Sequence, residues 1–174
     1  MNRTIRFWFL PALTLFLVSY AVAQAKPDEK QIKTGVQAAA EVKTVMPTTY
    51  FYDGMSSSVQ LRNSAAFRTK EGHFVLAGLV DTSGYSSGVR QKYQGLFITE
   101  LKLDIEGSEL SPGQYGFGFT DDKFVITDVG GHDVLSVPSK TDDQLKRAVP
   151  LKIKQEGDAY RLYAGKKYVT VKAP

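Results

Sequence analysis

The apolar residues of this chain recur with a period of two from Pro47 to the C-terminus, which is the spacing of β-strands that bury one face. The clearest case is the run LFITELKLDIEG, in which Phe97, Leu101 and Ile105 share one face while charged residues occupy the other. The run HFVLAGLVD is almost entirely apolar and predicts a central strand. Short turns separate the later runs PLKIKQ, AYRLY and KYVTV, which predict a meander.

These patterns predict a single all-β domain over residues 47–174, either a small sandwich or a closed barrel of about 8–10 short antiparallel strands. Both architectures use strands of the same period, so the sequence pattern does not distinguish a sandwich from a barrel. The run TDDQLKRAVP is the one helix signal in the region. Thr141 can cap a helix, Gln144 can complete a capping box and Pro150 can end it, which predicts one short helix near 142–148.

The first 25 residues have the parts of a secretory signal peptide. Arg3 and Arg6 give a positive start, an apolar run follows, and small residues then match the cleavage pattern. We therefore expect an exported protein, periplasmic or extracellular after cleavage near Ala23 or Ala25. It would touch a membrane only through the signal peptide before cleavage, although an uncleaved N-terminal anchor is the alternative.

Residues 26–46 form a lysine-rich lead-in with few large apolar side chains. Ile32, Val36, Ala39 and Ala40 fall at helical spacing, so this lead-in is predicted to be either flexible or a short helix.

Composition narrows the classes of function. The chain contains no cysteine, so an exported form has no disulfide and is stabilised by packing. The formal net charge is +4, and two of these charges, on Arg3 and Arg6, leave with the signal peptide. The remaining surface is nearly balanced, so we expect no nucleic-acid partner.

The segment Thr82–Gly95 is polar and has no predicted helix or strand of its own. Loops of this length inside a domain usually have a function, and this one combines amphipathic rings, cations and hydroxyls that suit ligand or partner contact. An ordinary long hairpin connection is the alternative. The predicted contact residues in the segment are Tyr85, Ser86, Arg90, Lys92 and Tyr93.

The same segment contains the pattern G-x-S-x-G around Ser86, which is typical of the nucleophile turn of α/β-hydrolases. That turn requires a helix after the serine and a histidine partner, for which His73 and His132 are the two choices in the chain. The residues after Ser86 predict another strand instead. A serine hydrolase is therefore an alternative function, and no catalytic residue is assigned.

The run QYGFGF alternates aromatic residues with glycines. Tyr115, Phe117 and Phe119 lie on one face, where they predict a core, while Gly116 and Gly118 leave the other face without side chains. Something can approach closely there: a crossing strand, an aromatic ring or a ligand. Gly116 and Gly118 therefore join the predicted binding residues.

Neither a metal site nor a cofactor is predicted. His132 lies between Asp128 and Asp133, but the turns TDD and GGHD use aspartate and glycine as hairpins do, and the calcium-loop spacing is missing. The run AGKK lacks the first glycine of a phosphate-binding loop and predicts a hairpin turn.

The expected function is that of a non-enzymatic, exported, bacterial-type β domain. Its partner would be a small molecule, a glycan or an envelope protein. The two alternatives are the serine hydrolase based on Ser86 and a small outer-membrane β-barrel. The last strands are shorter than the roughly ten residues that a membrane-spanning strand needs.

Overall fold

The predicted strands form two antiparallel sheets in a computed structural model, which describes residues 33–174. The predicted signal peptide and the beginning of the lead-in lie outside the described residues. Neither sheet closes on itself, so the all-β prediction is confirmed and the architecture is sandwich-like, not a closed barrel.

Two short helices and fourteen strands make up the described chain. The helices are α1 (Ala39–Val45) and α2 (Ser87–Lys92). The strands are β1 (Gly35–Val36), β2 (Thr49–Tyr52), β3 (Met55–Arg68), β4 (Phe74–Val80), β5 (Gly95–Thr99), β6 (Leu103–Ile105), β7 (Ser108–Leu110), β8 (Gly113–Thr120), β9 (Lys123–Thr127), β10 (Asp133–Pro138), β11 (Lys140–Thr141), β12 (Val149–Glu156), β13 (Ala159–Gly165) and β14 (Lys167–Lys172).

The first sheet has the strand order β1-β3-β4-β5-β8-β9-β10, and β2 pairs with the beginning of β3. The second sheet has the order β12-β13-β14-β6-β7, and β11 pairs with β14. The long strand β3 contacts two partners in succession because its pairing with β4 shifts register between Val59 and Ser64. The first residues of β3 pair with β2 instead.

Two hydrophobic cores lie on opposite faces of the first sheet. The main core fills the space between the sheets and includes Val75 and Phe117. The second core lies on the other face, beneath α1, β2 and the segment before β5, and includes Val42 and Leu76. Strand β4 supplies Val75 to one core and Leu76 to the other, which confirms the prediction of a central strand.

The alternating run LFITELKLDIEG forms two strands in different sheets. β5 belongs to the first sheet and β6 to the second, and the chain turns between them at residues 100–102. The Thr99 hydroxyl donates to the carbonyl oxygen of Leu101 at 2.6 Å and fixes this turn. Phe97, Leu103 and Ile105 still face the same main core, because that core lies between the two sheets.

The short helix predicted near 142–148 is not formed, and this prediction was wrong. The segment is a series of turns, with the Leu145 N–H bonded to the Asp142 carbonyl at 3.3 Å. The Asp142 carboxylate accepts hydrogen bonds from the Gln144 N–H at 3.1 Å and from the Tyr163 hydroxyl at 3.0 Å. Pairing of β11 with β14 and of β12 with β13 fixes both ends of the segment, and the Asp142 side chain is bonded to Tyr163 instead of capping a helix.

The described part of the lead-in contains β1 and α1. β1 pairs with the end of β3, and α1 packs against β3 through the buried Val42. The described residues include no helix that is both long enough and apolar enough to cross a membrane.

Glu106 joins three parts of the second sheet through one carboxylate. Its Oε1 accepts the backbone N–H of Thr170 at 2.6 Å, and its Oε2 pairs with Lys140 Nζ at 2.6 Å. The side chain is only 12% exposed, and burial by itself would raise its pKa. The bonds from Lys140 and Thr170 outweigh burial and hold the pKa of Glu106 below its ordinary value.

We expect Glu106→Gln to lower the free energy of unfolding by about 1–2 kcal/mol near neutral pH. A carboxyl group whose pKa falls on folding stabilises the protein above its unfolded pKa, and this contribution is lost as pH falls through the folded pKa. The difference between wild type and variant should therefore shrink below about pH 4.3. Urea unfolding followed by circular dichroism at a series of pH values measures it.

Glu109→Gln is the matched control, because its partner Lys102 lies 3.2 Å away and both side chains are mostly exposed. Its effect should stay below about 0.5 kcal/mol. Equal losses in the two variants, or a Glu106→Gln effect that grows in acid, would contradict the role given to Glu106.

Candidate functional site

The segment Thr82–Gly95 contains α2, with a short irregular stretch on each side. Ser86 is the N-cap of this helix, and its Oγ accepts the backbone N–H of Val89 at 3.4 Å. The helix itself was not predicted, because its only apolar residue is Val89 and its sequence SGVRQK has no amphipathic period. The predicted site serine is therefore a capping residue.

The two histidines contact carboxylates and not Ser86. His73 Nδ1 lies 3.9 Å from Glu100 Oε2, and His132 Nδ1 lies 3.3 Å from Asp128 Oδ2. Over residues 33–174, neither imidazole has a hydrogen bond to the Ser86 hydroxyl. The G-x-S-x-G pattern is thus followed by a helix, as a nucleophile turn requires, but without a base beside the serine.

Arg90 and Lys92, which were predicted to contact a ligand or partner, lie in the last turn of α2 with exposed side chains. Lys92 Nζ forms an ion pair with Asp133 Oδ2 at 2.8 Å, which ties α2 to the start of β10. Arg90 has no ion-pair partner among the described residues. Of the predicted cations, Arg90 alone is therefore free to meet a ligand directly.

Tyr85 and Tyr93, which were predicted to contact a ligand, are buried. Tyr85 is 7% exposed and Tyr93 is fully buried. The Tyr85 hydroxyl shares its proton between the carbonyl oxygens of Tyr52 at 2.9 Å and Met55 at 3.1 Å. These rings hold the segment down on the first sheet and present no surface to a ligand.

The two residues belong to a buried tyrosine cluster, which consists of Tyr50, Tyr52, Tyr85 and Tyr93. The rings of Tyr52 and Tyr93 stack with centroids 3.8 Å apart, and Tyr85 meets Tyr93 edge-on at 5.2 Å. Burial raises the pKa of both Tyr50 and Tyr93. Their hydroxyls are also buried without a hydrogen-bond partner among the described residues.

The face over Gly116 and Gly118 is filled by the chain itself. A Cβ atom on Gly116 would lie 2.7 Å from Tyr52 Cε2 and 3.0 Å from Tyr93 Cδ2. A Cβ atom on Gly118 would lie 2.8 Å from the carbonyl carbon of Lys92 and closer still to its oxygen. Of the occupants considered for this face, an aromatic ring covers Gly116 and the end of α2 covers Gly118.

A cleft opens between the two sheets at one end of the sandwich, with a volume of about 640 Å³. We call it the end cleft. Thr82 and Gln94, near the two ends of the predicted functional segment, line it from the first sheet, and the turn between β13 and β14 lines it from the second. Its lining also includes Gln60, Leu79, Val80, Phe119, Ala164, Lys166 and Lys167.

Sequence reasoning missed most of the end cleft. Its lining comes from β3, β4, β8 and the β13–β14 turn, which are far apart in the chain. The run AGKK was predicted as a hairpin turn, and the pairing of Ala164 with Lys167 confirms it. The one feature of the sequence that pointed to the cleft was the length of the 82–95 segment, because Thr82 and Gln94 near its ends line the cleft.

A second cleft of about 690 Å³ lies on the outer face of the second sheet, under the turns that replace the predicted helix. Most of its charged groups already have partners. Arg161 pairs with Glu156 at 2.6 Å and lies over the Tyr168 ring, and Lys154 lies over the Tyr163 ring at 4.8 Å. The Tyr163 hydroxyl also donates to Asp142, which holds the turns on the sheet, and few free groups remain for a ligand.

The part of the chain that the structure describes brings together no group of three or more residues able to hold a metal ion. Asp128 instead closes its own turn, because one carboxylate oxygen accepts the N–H groups of Gly130 and His132 at 2.9 Å. Comparison with protein-family models, with curated proteins and with solved structures found no match.

Proposed function

We propose that this chain is an exported, non-enzymatic protein that binds a small molecule in the end cleft. The observation that carries the proposal is the cleft itself, open between the sheets and lined by apolar side chains that the main core leaves uncovered. Its volume of about 640 Å³ lies within the range of small-molecule sites. The signal-like N-terminus supports export.

The apolar lining distinguishes the end cleft from the polar cleft on the second sheet. Leu79 and Ala164 pack against the main core but remain partly exposed at the cleft. Small-molecule sites combine such apolar walls with a few polar groups that orient the ligand. The end cleft has this composition, whereas the other cleft has a mainly polar lining with mostly paired charges.

The arrangement around Ser86 supports binding without catalysis. Its hydroxyl caps α2 and has no imidazole partner among residues 33–174, so the group that would deprotonate a serine nucleophile is lacking there. The end cleft is bordered by residues 82 and 94, not by this serine.

A thermal-shift screen of glycans, lipids and small metabolites tests the proposal. A ligand present at about a hundred times its Kd should stabilise the protein by about 2.7 kcal/mol, or roughly 5–10 °C in Tm. Ala164→Trp should abolish this shift, because the indole would fill the cleft. Ala40→Trp, at an exposed position on α1, is the matched control and should keep the shift.

Two results would oppose the proposal. If no compound of any class raises Tm, the binding function fails. If a compound raises the Tm of folded Ala164→Trp as much as that of wild type, the ligand binds elsewhere. Circular dichroism establishes that each variant is folded before the comparison is made.

A further inference from the structure

We infer that the end cleft takes a free anionic amphiphile, whose apolar chain lies against Leu79, Phe119 and Ala164 and whose anionic headgroup binds Lys166 and Lys167. This inference rests on the proposed binding function and names the chemical class of the ligand. It follows from which groups in the cleft are already bonded and which are free.

The amide groups in the cleft wall are used within the protein. Gln94 Nε2 donates to the Phe119 carbonyl at 3.0 Å, and its Oε1 accepts the Phe119 N–H at 3.1 Å. Gln60 Nε2 donates to the Val80 carbonyl at 3.2 Å, and its Oε1 accepts Asn63 Nδ2 at 2.8 Å. With these amides bonded, the wall offers a ligand mainly apolar contact.

Lys166 and Lys167, which form the rim of the end cleft on the β13–β14 turn, are free to bind a ligand. Lys166 is exposed and has no side-chain partner among the described residues. Lys167 Nζ lies 4.0 Å from Asp122 Oδ1, but the Asp122 side chain is fully exposed, so this pair contributes little. The cleft lining includes two lysines and no carboxylate. The rim is therefore complementary to a negative group.

The backbone fixes the two lysines beside the apolar surface. Gly165 has a φ of 69°, in the left-handed region that glycine tolerates, and this makes the sharp turn between β13 and β14. Ala164 and Lys167 are paired across that turn. An apolar wall and two cationic side chains thus meet at one hairpin, which suits a single molecule with an apolar chain and an anionic head.

Isothermal titration calorimetry with three probes of the same chain length tests the inference. The probes are dodecanoate, dodecanol and dodecyltrimethylammonium, each used below its micelle concentration. Dodecanoate should bind one-to-one and at least about tenfold more tightly than the cation. Lys166→Gln combined with Lys167→Gln should weaken dodecanoate binding about tenfold and leave dodecanol binding unchanged.

Lys43→Gln combined with Lys146→Gln is the charge-matched control, since both lysines are exposed and neither lines the cleft. This variant should bind dodecanoate as wild type does. If the control loses as much affinity as the rim variant, the effect is one of net charge and the inference is overturned.

The remaining outcomes separate this inference from the proposed function. If all three probes bind equally and Ala164→Trp abolishes all three, the cleft binds ligands but not by charge, and only the inference fails. If none binds while another compound gives an Ala164-dependent shift, again only the inference fails. If the chain sediments with anionic phospholipid vesicles but does not bind dodecanoate, the inference fails in favour of a membrane surface.

Discussion

Gly118→Ala should lower the free energy of unfolding by about 3 kcal/mol, because the added methyl group meets backbone and not a flexible side chain. The Cβ atom would lie 2.8 Å from the Lys92 carbonyl carbon and closer to its oxygen. Relief requires the end of α2 to move away from β8, which would pull on the buried Tyr93. Urea unfolding followed by circular dichroism measures the loss.

Gly88→Ala is the matched control for the same substitution in the same segment. Gly88 lies in α2, and no atom comes within 4 Å of the position a Cβ would take. Alanine is the better helix former, so this variant should be more stable than wild type by about 0.5–1 kcal/mol. A Gly118→Ala protein as stable as wild type would mean that α2 does not rest on β8.

The inward and outward faces of the strands could be predicted, but not the sheet to which each strand belongs. Phe97, Leu101 and Ile105 were assigned to one buried face; Phe97 and Ile105 lie in the main core, and Leu101 packs against it. The chain nevertheless leaves the first sheet after Thr99 and continues in the second. Both sheets bury residues in the same interior, so period-two alternation continues across the turn and does not reveal it.

The false helix near 142–148 shows how a local signal loses to tertiary contacts. The capping pattern is present in the sequence, yet the Asp142 carboxylate bonds to the hydroxyl of Tyr163 on β13. Such a partner lies outside any window of local sequence. A short isolated helix has little stability of its own, so strand pairing on both sides of the segment decides its conformation.

The candidate site was predictable only in part. The close approach over Gly116 and Gly118 was predicted from the missing side chains, and both positions are indeed covered. The sequence could not say that Tyr93 covers Gly116, since an amphipathic tyrosine suits a surface as well as a core. The end cleft has no local signature at all, because its apolar wall and the rim residues Lys166 and Lys167 come from separate strands.

Tyr93→Ala should lower the free energy of unfolding by about 4 kcal/mol, the amount expected when a large ring is removed from a packed core. Tyr93 is fully buried, stacks on Tyr52 and meets Tyr85 edge-on. Loss of the ring would leave a cavity between the first sheet and the segment that contains α2. Urea unfolding and the exchange rate of amide hydrogens in α2 should both report the change.

Tyr93→Phe should by contrast leave stability unchanged or raise it by up to about 1 kcal/mol. The Tyr93 hydroxyl is buried and has the Tyr85 hydroxyl as a polar neighbour, whose proton already goes to two carbonyl oxygens. Its removal therefore ends a desolvation cost at little loss of hydrogen bonding. Tyr85→Phe is the matched control in the same cluster and should cost about 1–2 kcal/mol, because the Tyr85 hydroxyl donates to two backbone carbonyls. A substantial loss in Tyr93→Phe would contradict this expectation and mean that its hydroxyl makes a stabilising hydrogen bond.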